Sequence, residues 1–326
     1  MRCSVITHPA CALHDLPGHP ESQERIAIAC SGVPAGTPRR EARMATIEEI
    51  RRVHLPEHIA LVQNACDCCP DGDVRFLDPD TYITRDSYDI ARYAAGAAIQ
   101  AVEQALDGTH TLSLMRPPGH HALPHHSMGF CIFNNPSIAA AAALTSVDRV
   151  AIVDWDVHHG NGTQYIWYHT DRVLYLSVHH GGIFPGSGMP WETGIGPGEG
   201  STINVPLEGG STGADYAHVF TEVFLPAILR YRPEALIISA GQDSLHDDLL
   251  GGMALLPGDF GMITALLMDA VRLPAAIVLE GGYSPSAGEA IRAVIDALGG
   301  SRNAVPAGTP HPATLSLVRL LAKRND

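Results

Sequence analysis

No run of apolar residues in this chain approaches the ~18 needed to cross a bilayer, so no membrane-spanning helix is expected. The apolar stretch after Met1 ends at His8 and Pro9, too soon for a signal peptide, and a cytoplasmic location is the expectation. Positive charge is scarce. Lysine occurs once, as Lys323, and the other basic residues are arginine, a compositional bias to which no function attaches. A net charge of −14 would repel phosphates. Nucleic acid is therefore a poor partner, whereas a cationic substrate or basic peptide would be attracted. Cysteine is absent after Cys131, and the seven present, an odd number without a signal peptide, argue for reduced thiols. The cluster Cys66, Cys68 and Cys69 lacks the second C-x-x-C or nearby histidine pair that would complete a metal site. Neither a Gly-, Ser- or Pro-rich linker nor an internal repeat interrupts the chain, and one domain over residues 1–326 is expected.

What is there is the composition of a globular protein: 45% apolar and 17% charged residues, with ample material for a core. The runs Thr111–Met115, Arg149–Val153, Val173–Val178, Ala235–Ser239 and Ala275–Leu279 read as buried strands. Between them, Pro136–Thr145, Asp215–Arg230 and Pro257–Val271 read as helices. Earlier in the chain, Glu21–Ala29, Ile47–His54, Pro56–Cys66 and Ser87–Leu106 also look helical. Strands alternating with helices predict an α/β fold, a parallel sheet covered by helices on both faces. The Gly- and Pro-rich stretch 181–200 is longer than a simple connection, as loops that carry function or move often are.

Titratable residues fall where these strands end. Val150-Ala-Ile-Val runs into Asp154, Asp156, His158 and His159. Ala235-Leu-Ile-Ile-Ser leads to Asp243, Ala276-Ile-Val-Leu to Glu280 and Tyr283, Leu174-Tyr-Leu-Ser-Val to His179 and His180, and Thr111-Leu-Ser-Leu-Met to Arg116-Pro-Pro-Gly-His-His121. Carboxyl ends of parallel strands are the rim where open α/β sheets bind ligands. Asp156 and His158 alternate on an extended segment and so point to one side. With Asp243 they offer three ligands, the number that leaves a catalytic zinc one open position; Mn²⁺ or Fe²⁺ would also suit two carboxylates and an imidazole.

The ordered set Arg116-Pro-Pro-Gly-His-His-Ala122, Gly129-Phe-Cys-Ile-Phe-Asn-Asn135, Asp154-Trp-Asp-Val-His-His-Gly-Asn-Gly-Thr-Gln164, Phe184-Pro-Gly-Ser-Gly188, Asn204-Val-Pro-Leu207, Ser239-Ala-Gly-Gln-Asp243 and Glu280-Gly-Gly-Tyr283 resembles the motifs of the histone deacetylase family. Within that family it resembles the class II-like bacterial and archaeal amidohydrolases, over a stretch from about His19-Pro-Glu21 to the C-terminus. The resemblance implies an arginase-like fold and one catalytic Zn²⁺ on Asp156, His158 and Asp243. It implies an acid–base pair in His120 and His121, with Asp154 behind the first and Asn161 behind the second. A carboxylate favours imidazolium and an amide cannot, which makes His121 the expected general base and acid and His120 its electrostatic partner. Tyr283 is implied as donor to the oxyanion, a role worth ~2.7–4 kcal/mol. A potassium ion is implied at Asp154, Asp156, His158, Ser177 and the Val178 carbonyl. Gly129, Phe130 and Phe184 match the substrate tunnel and Leu250 its gatekeeper. His125, His126, His179 and His180 are expected to be rim or structural residues.

Two positions depart from the common pattern. Gln242 stands where many relatives have Phe, and Leu249 replaces a frequent Pro. The expected substrate is an acylated lysine, since Leu250 supplies no carboxylate for the distal ammonium of an acetylpolyamine. Hydrolysis of an acetylpolyamine or other small amide is the alternative enzyme reading, and an inactive module that binds acylated ligands is the non-enzyme one. Oligomerisation is left open.

Overall fold

The structure is a computed structural model that describes residues 2–302 and 308–322. β1 (Arg2–Thr7) and β2 (Arg39–Glu41) are followed by a short antiparallel ladder of β3 (Arg75–Phe76) and β4 (Tyr82–Ile83). β5 (Thr109–Ser113), β6 (Val150–Asp154), β7 (Val173–His180), β8 (Thr202–Leu207), β9 (Ala235–Ala240) and β10 (Ala275–Leu279) come next. Eight of these strands make one parallel sheet in the order β2-β1-β5-β10-β9-β6-β7-β8.

The apolar strands serve both faces by alternation. Ala151 and Val153 of β6, with Leu236 and Ile238 of β9, pack beneath the helices Pro257–Val271 and Ala287–Leu298. Val150, Ile152, Ile237, Ala276 and Val278 face the other way, onto Ser87–Leu106 and Asn135–Ala143. Burial on both faces is why these strands read as continuous apolar runs rather than alternating ones. A third cluster lies outside the second layer, where Ile59, Val62 and Cys66 of the helix Pro56–Asp67 pack on Ala91, Ala95 and Ile99. None of the described helices is long and apolar enough to cross a membrane.

All five expected strands are present, with ends shifted by one or two residues where they shift at all. β1, β2, β8 and the short ladder of β3 and β4 were not read as strands. β2 is three exposed polar residues on a sheet edge, and β8, the opposite edge, alternates its core residues Ile203, Val205 and Leu207 with Thr202, Asn204 and Pro206, so neither is a continuous apolar run. The expected helix 215–230 is a composite: Gly213–Val219, a wider π turn over Phe220–Phe224, and Leu225–Tyr231. Pro226 has no N–H to donate to Glu222, and the ladder resumes with Leu225 N–H on the Phe220 carbonyl, five residues back. The long segment 181–200 is fixed in place. Glu192 accepts from Gln164 Nε2 at 2.7 Å and from Gly188 N–H at 3.1 Å, and Ser187 Oγ bonds His159 Nδ1 at 2.8 Å.

The central strands β5-β10-β9-β6 are neighbours, and their following loops carry the His120–His121 pair, Tyr283, Asp243, and Asp156 with His158. Strand order thus brings residues from four distant parts of the chain to one edge.

Candidate active site

Asp156, His158 and Asp243 each place a ligand atom within 4.8 Å of the others, the one such group among the described residues. His158 Nδ1 lies 3.2 Å from Asp156 Oδ1 and 3.2 Å from Asp243 Oδ2. The carboxylates are aimed by backbone donors. Asp156 accepts from the N–H of Gly281 at 2.8 Å and of His158 at 2.8 Å, and Asp243 accepts from that of Val157 at 2.9 Å. A Cβ on Gly241 or Gly281 would overlap these carboxylates, so glycine at both positions is a condition of the geometry. Burial and the nearby Asp156 push the Asp243 carboxyl up to about 7. Burial opposes charge on His158 too, but its bonds to both carboxylates win and raise it to about 10. Two buried carboxylates around one imidazole leave an excess of negative charge for a divalent cation to neutralise. Two oxygens and one nitrogen also match the protein ligands of a zinc with an open position.

The histidine pair is divided by its partners. The rings of His120 and His121 are 4.0 Å apart, centroid to centroid, and both are buried. His120 Nδ1 meets Asp154 Oδ2 at 3.0 Å, whereas His121 Nδ1 meets the amide oxygen of Asn161 at 2.8 Å. Burial disfavours charge on both. At His120 the charges of Asp156 and Asp154 overcome it and raise the imidazole to about 10. At His121 burial wins, helped by the charge on His120, and the ring is held neutral, well below the usual histidine range.

Glu280 sets the backbone from which the pair projects. Its buried carboxylate accepts from Gly119 N–H at 2.7 Å, His120 N–H at 3.0 Å and Ser239 Oγ at 3.0 Å. Tyr283, two glycines further on, lies beneath the Arg25 guanidinium, 4.9 Å from its ring centroid. Burial pushes the Tyr283 phenol well above its ordinary range, so it remains a hydroxyl donor.

These groups enclose a cavity of about 290 Å³. Its floor is His120, His121, Asp156, His158 and Asp243; its walls include Phe130, Phe184, Tyr283 and Leu250. Phe184 stands edge-on to His121, centroids 5.0 Å apart, and Phe130 edge-on to Tyr283 at 5.9 Å. Phe130 has φ 66° and Gly129 φ 56°, consecutive left-handed residues. Strain of about 1–3 kcal/mol at a bulky residue is the kind that binding sites hold. A Cβ on Gly129 would press on the rings of His121 and Phe184.

The structure thus brings together the expected ligands, histidines, tyrosine and wall residues. Ser177 lies opposite Asp154 in the β6–β7 register, with Val178 next to it; Asp154 Oδ2 also accepts from Tyr175 Oη at 3.0 Å, and Ser177 Oγ bonds His179 Nδ1 at 2.9 Å. His125, His126, His179 and His180 are not among the cavity's lining residues. Gln242 is buried with its amide on the Ala240 carbonyl at 2.9 Å, while Leu249 is exposed. Sequence reasoning missed Asp80, which is among the cavity's lining residues and whose carboxyl is pushed up to about 6 by burial and by Asp78. It also missed the buried ion pairs of Glu21 with Arg25 and Arg116, both at 2.7 Å. Arg116, set directly before two prolines after an apolar strand, was the available signal.

A Histone deacetylase domain matches residues 19–298. The chain is 40% identical to the Histone deacetylase-like amidohydrolase of Pseudomonas aeruginosa over 88% of its own length and 79% of that protein's. It is 35% identical to a Probable deacetylase of Archaeoglobus fulgidus, over 87% of this chain and 82% of the relative. Other relatives are longer: the chain spans 57% of Histone deacetylase 15 of Arabidopsis thaliana, at 39% identity, and 31% of Histone deacetylase HDA1 of Candida albicans, at 38%. The crystal structure of the HDA15 HD domain superposes with a TM-score of 0.92 at 35% identity, covering 99% of this chain and 95% of that one. Matched in sequence from His19 through Leu298, and in fold over nearly its whole length, the chain belongs to the histone deacetylase family.

Proposed function

We propose that this chain is a zinc-dependent amidohydrolase that removes the acyl group from acyl-lysine or a related acylated amine. The observation that carries this reading is the convergence on one cavity of a three-ligand set and two adjacent histidines with opposite electrostatic surroundings. Relatives named as a deacetylase and an amidohydrolase, each aligned over most of its length, support hydrolysis of an amide.

Asp156, His158 and Asp243 would hold the zinc, which when bound lowers the pKa of water toward ~7 and polarises the scissile carbonyl. His121, neutral and backed by an amide, takes the proton from the attacking water and passes it to the departing amine. His120, kept positive by Asp154, stabilises negative charge developing on the carbonyl oxygen. Tyr283 donates its hydroxyl to the same oxygen. Phe130 and Phe184 flank the aliphatic stem and keep water from it. Potassium would sit at Asp154, Asp156, His158, Ser177 and the Val178 carbonyl, a reading supported by the pairing of Asp154 with Ser177 where β6 ends.

Release of free acid from an acetyl-lysine peptide, a longer acyl-lysine peptide and acetylputrescine, measured side by side with zinc-loaded protein, tests the reading. Turnover of the peptides is expected; no turnover of any of the three would refute it. One observation favours the acetylpolyamine alternative: an acidic residue, Asp80, is among those that line the cavity, as is the apolar Leu250. Leu250→Glu should shift the ratio of specificity constants toward acetylputrescine, and Asp80→Asn away from it. A wild type that already prefers acetylputrescine by about tenfold, a gap worth ~1.4 kcal/mol, would favour the alternative.

A further inference from the structure

Gly281 and Gly282 lead directly into Tyr283, and Gly282 has φ 118°, a backbone that by itself leaves the direction of Tyr283 poorly determined. The constraint comes from a carboxylate elsewhere in the chain. Asp248 Oδ2 accepts the Tyr283 N–H at 2.6 Å, and its Oδ1 accepts the Leu250 N–H at 2.9 Å. The side chain is buried, so these charge-assisted bonds are little weakened by solvent. Its neighbour Asp247 fastens the same two loops differently, accepting from the hydroxyls of Ser284 at 2.5 Å and Ser286 at 2.7 Å.

Resting on the deacylase reading, we propose that Asp248 is a positioning residue that aims Tyr283 at the reacting carbonyl and ties it to the gatekeeper Leu250. The chemistry calls for a carboxylate at this point. Two converging N–H donors need two acceptor oxygens, and an asparagine would turn an NH₂ toward one of them. Asp248→Asn therefore breaks one of the two bonds at nearly unchanged volume. Arg25, stacked on the Tyr283 ring and bonded to the Gly282 carbonyl at 3.2 Å, supports the ring from behind but does not touch the Tyr283 N–H.

The test is a double-mutant cycle on zinc-loaded protein with a saturating acetyl-lysine substrate. Misplacing a reacting group by about 1 Å can cost 10²-fold, so Asp248→Asn is expected to lower kcat by roughly 10- to 100-fold. In a Tyr283→Phe background, where no hydroxyl remains to be aimed, the same change should cost less than about threefold. Equal losses in the two backgrounds would mean a general structural role and would overturn the proposal; a fixed loss of folded protein cancels in the cycle. Asp247→Asn, which leaves both N–H bonds in place, should lower kcat less than Asp248→Asn. Amide hydrogen exchange on the wild-type holoenzyme needs no variant. Slow exchange at both Tyr283 and Leu250 is expected, and rapid exchange at either overturns the clamp. A wild type without turnover would sink the deacylase reading before any variant is compared, whereas an active wild type with additive losses sinks only the role of Asp248.

Discussion

Two pairs of buried histidines, in different layers of the molecule, differ in one ring: three of the four are held neutral and His120 alone is raised. His54 and His58 lie in the outer layer, ring centroids 5.4 Å apart, beside Phe133. Their contacts are uncharged: His54 Nε2 accepts the Asn134 N–H at 2.8 Å, and His58 Nε2 lies 3.4 Å from the Ile132 carbonyl. Burial there depresses the rings to about 3 and about 4. His120 is no less buried, but beside Asp154 and Asp156 it rises to about 10. His121, its immediate neighbour, behaves like the outer pair because an amide stands where His120 has a carboxylate. Burial alone makes a histidine inert; one oxygen in place of one NH₂ decides whether it carries charge. The difference between the two site histidines is thus written into the residues behind them.

The most severe way to break the comparison is to remove a site carboxylate altogether. Changes behind a metal ligand cost about 10–100-fold in affinity or activity, so Asp243→Ala should cost more than that in both zinc content and turnover. Stoichiometric zinc with normal turnover in this variant would undo the assignment of the ligands. A smaller effect should follow from giving His121 the partner type of His120. Asn161→Asp places a carboxylate on His121 Nδ1 and should raise its pKa by roughly 1–3 units. The proton then stays on the ring to higher pH, and the acidic limb of the kcat/KM profile moves up by the same interval. An unmoved limb would mean that His121 is not the base.

The smallest effect sharpens the other side. His54 and His58 have folded pKa values below the unfolded ~6.5, so the unfolded chain binds more protons below that pH. Their contribution to stability is complete above pH ~6.5 and is lost as pH falls toward the folded values, at up to about 1.4 kcal/mol per pH unit for each ring. Thermal melts from pH 7 to 5 should show this slope, and His58→Gln should flatten it. An unchanged slope would show that His58 is already protonated in the fold.

The sequence made the centre of the molecule legible and its edges less so. Ala275–Leu279 could be bounded correctly because all five residues are apolar and Pro274 and Glu280 mark the two ends. Arg39–Glu41 could not, since an exposed edge strand is held by main-chain pairing with β1 and its side chains bear no trace of it. The candidate ligands and histidines could be grouped from the sequence because each lies in a loop that follows a central strand, where position along the chain determines position in space. Asp248 and Asp80 could not. Each sits in a loop, and its neighbours meet it only after folding: the amide of Tyr283 for one, the other residues that line the cavity for the other.

The place of β10 also bears on how the protein is made. It is the last strand in the chain, yet it lies in the middle of the sheet, between β5 and β9. During synthesis β5 is made long before β10 and β9 shortly before it, and until β10 emerges each holds open a row of unpaired main-chain groups. A nascent chain stopped short of Ala275 would also lack the Gly281 amide that holds Asp156, and Glu280, which shapes the loop before His120. Ribosome-bound fragments of increasing length should therefore acquire protease resistance and tight zinc binding together, once the residues just beyond β10 have emerged, rather than in stages.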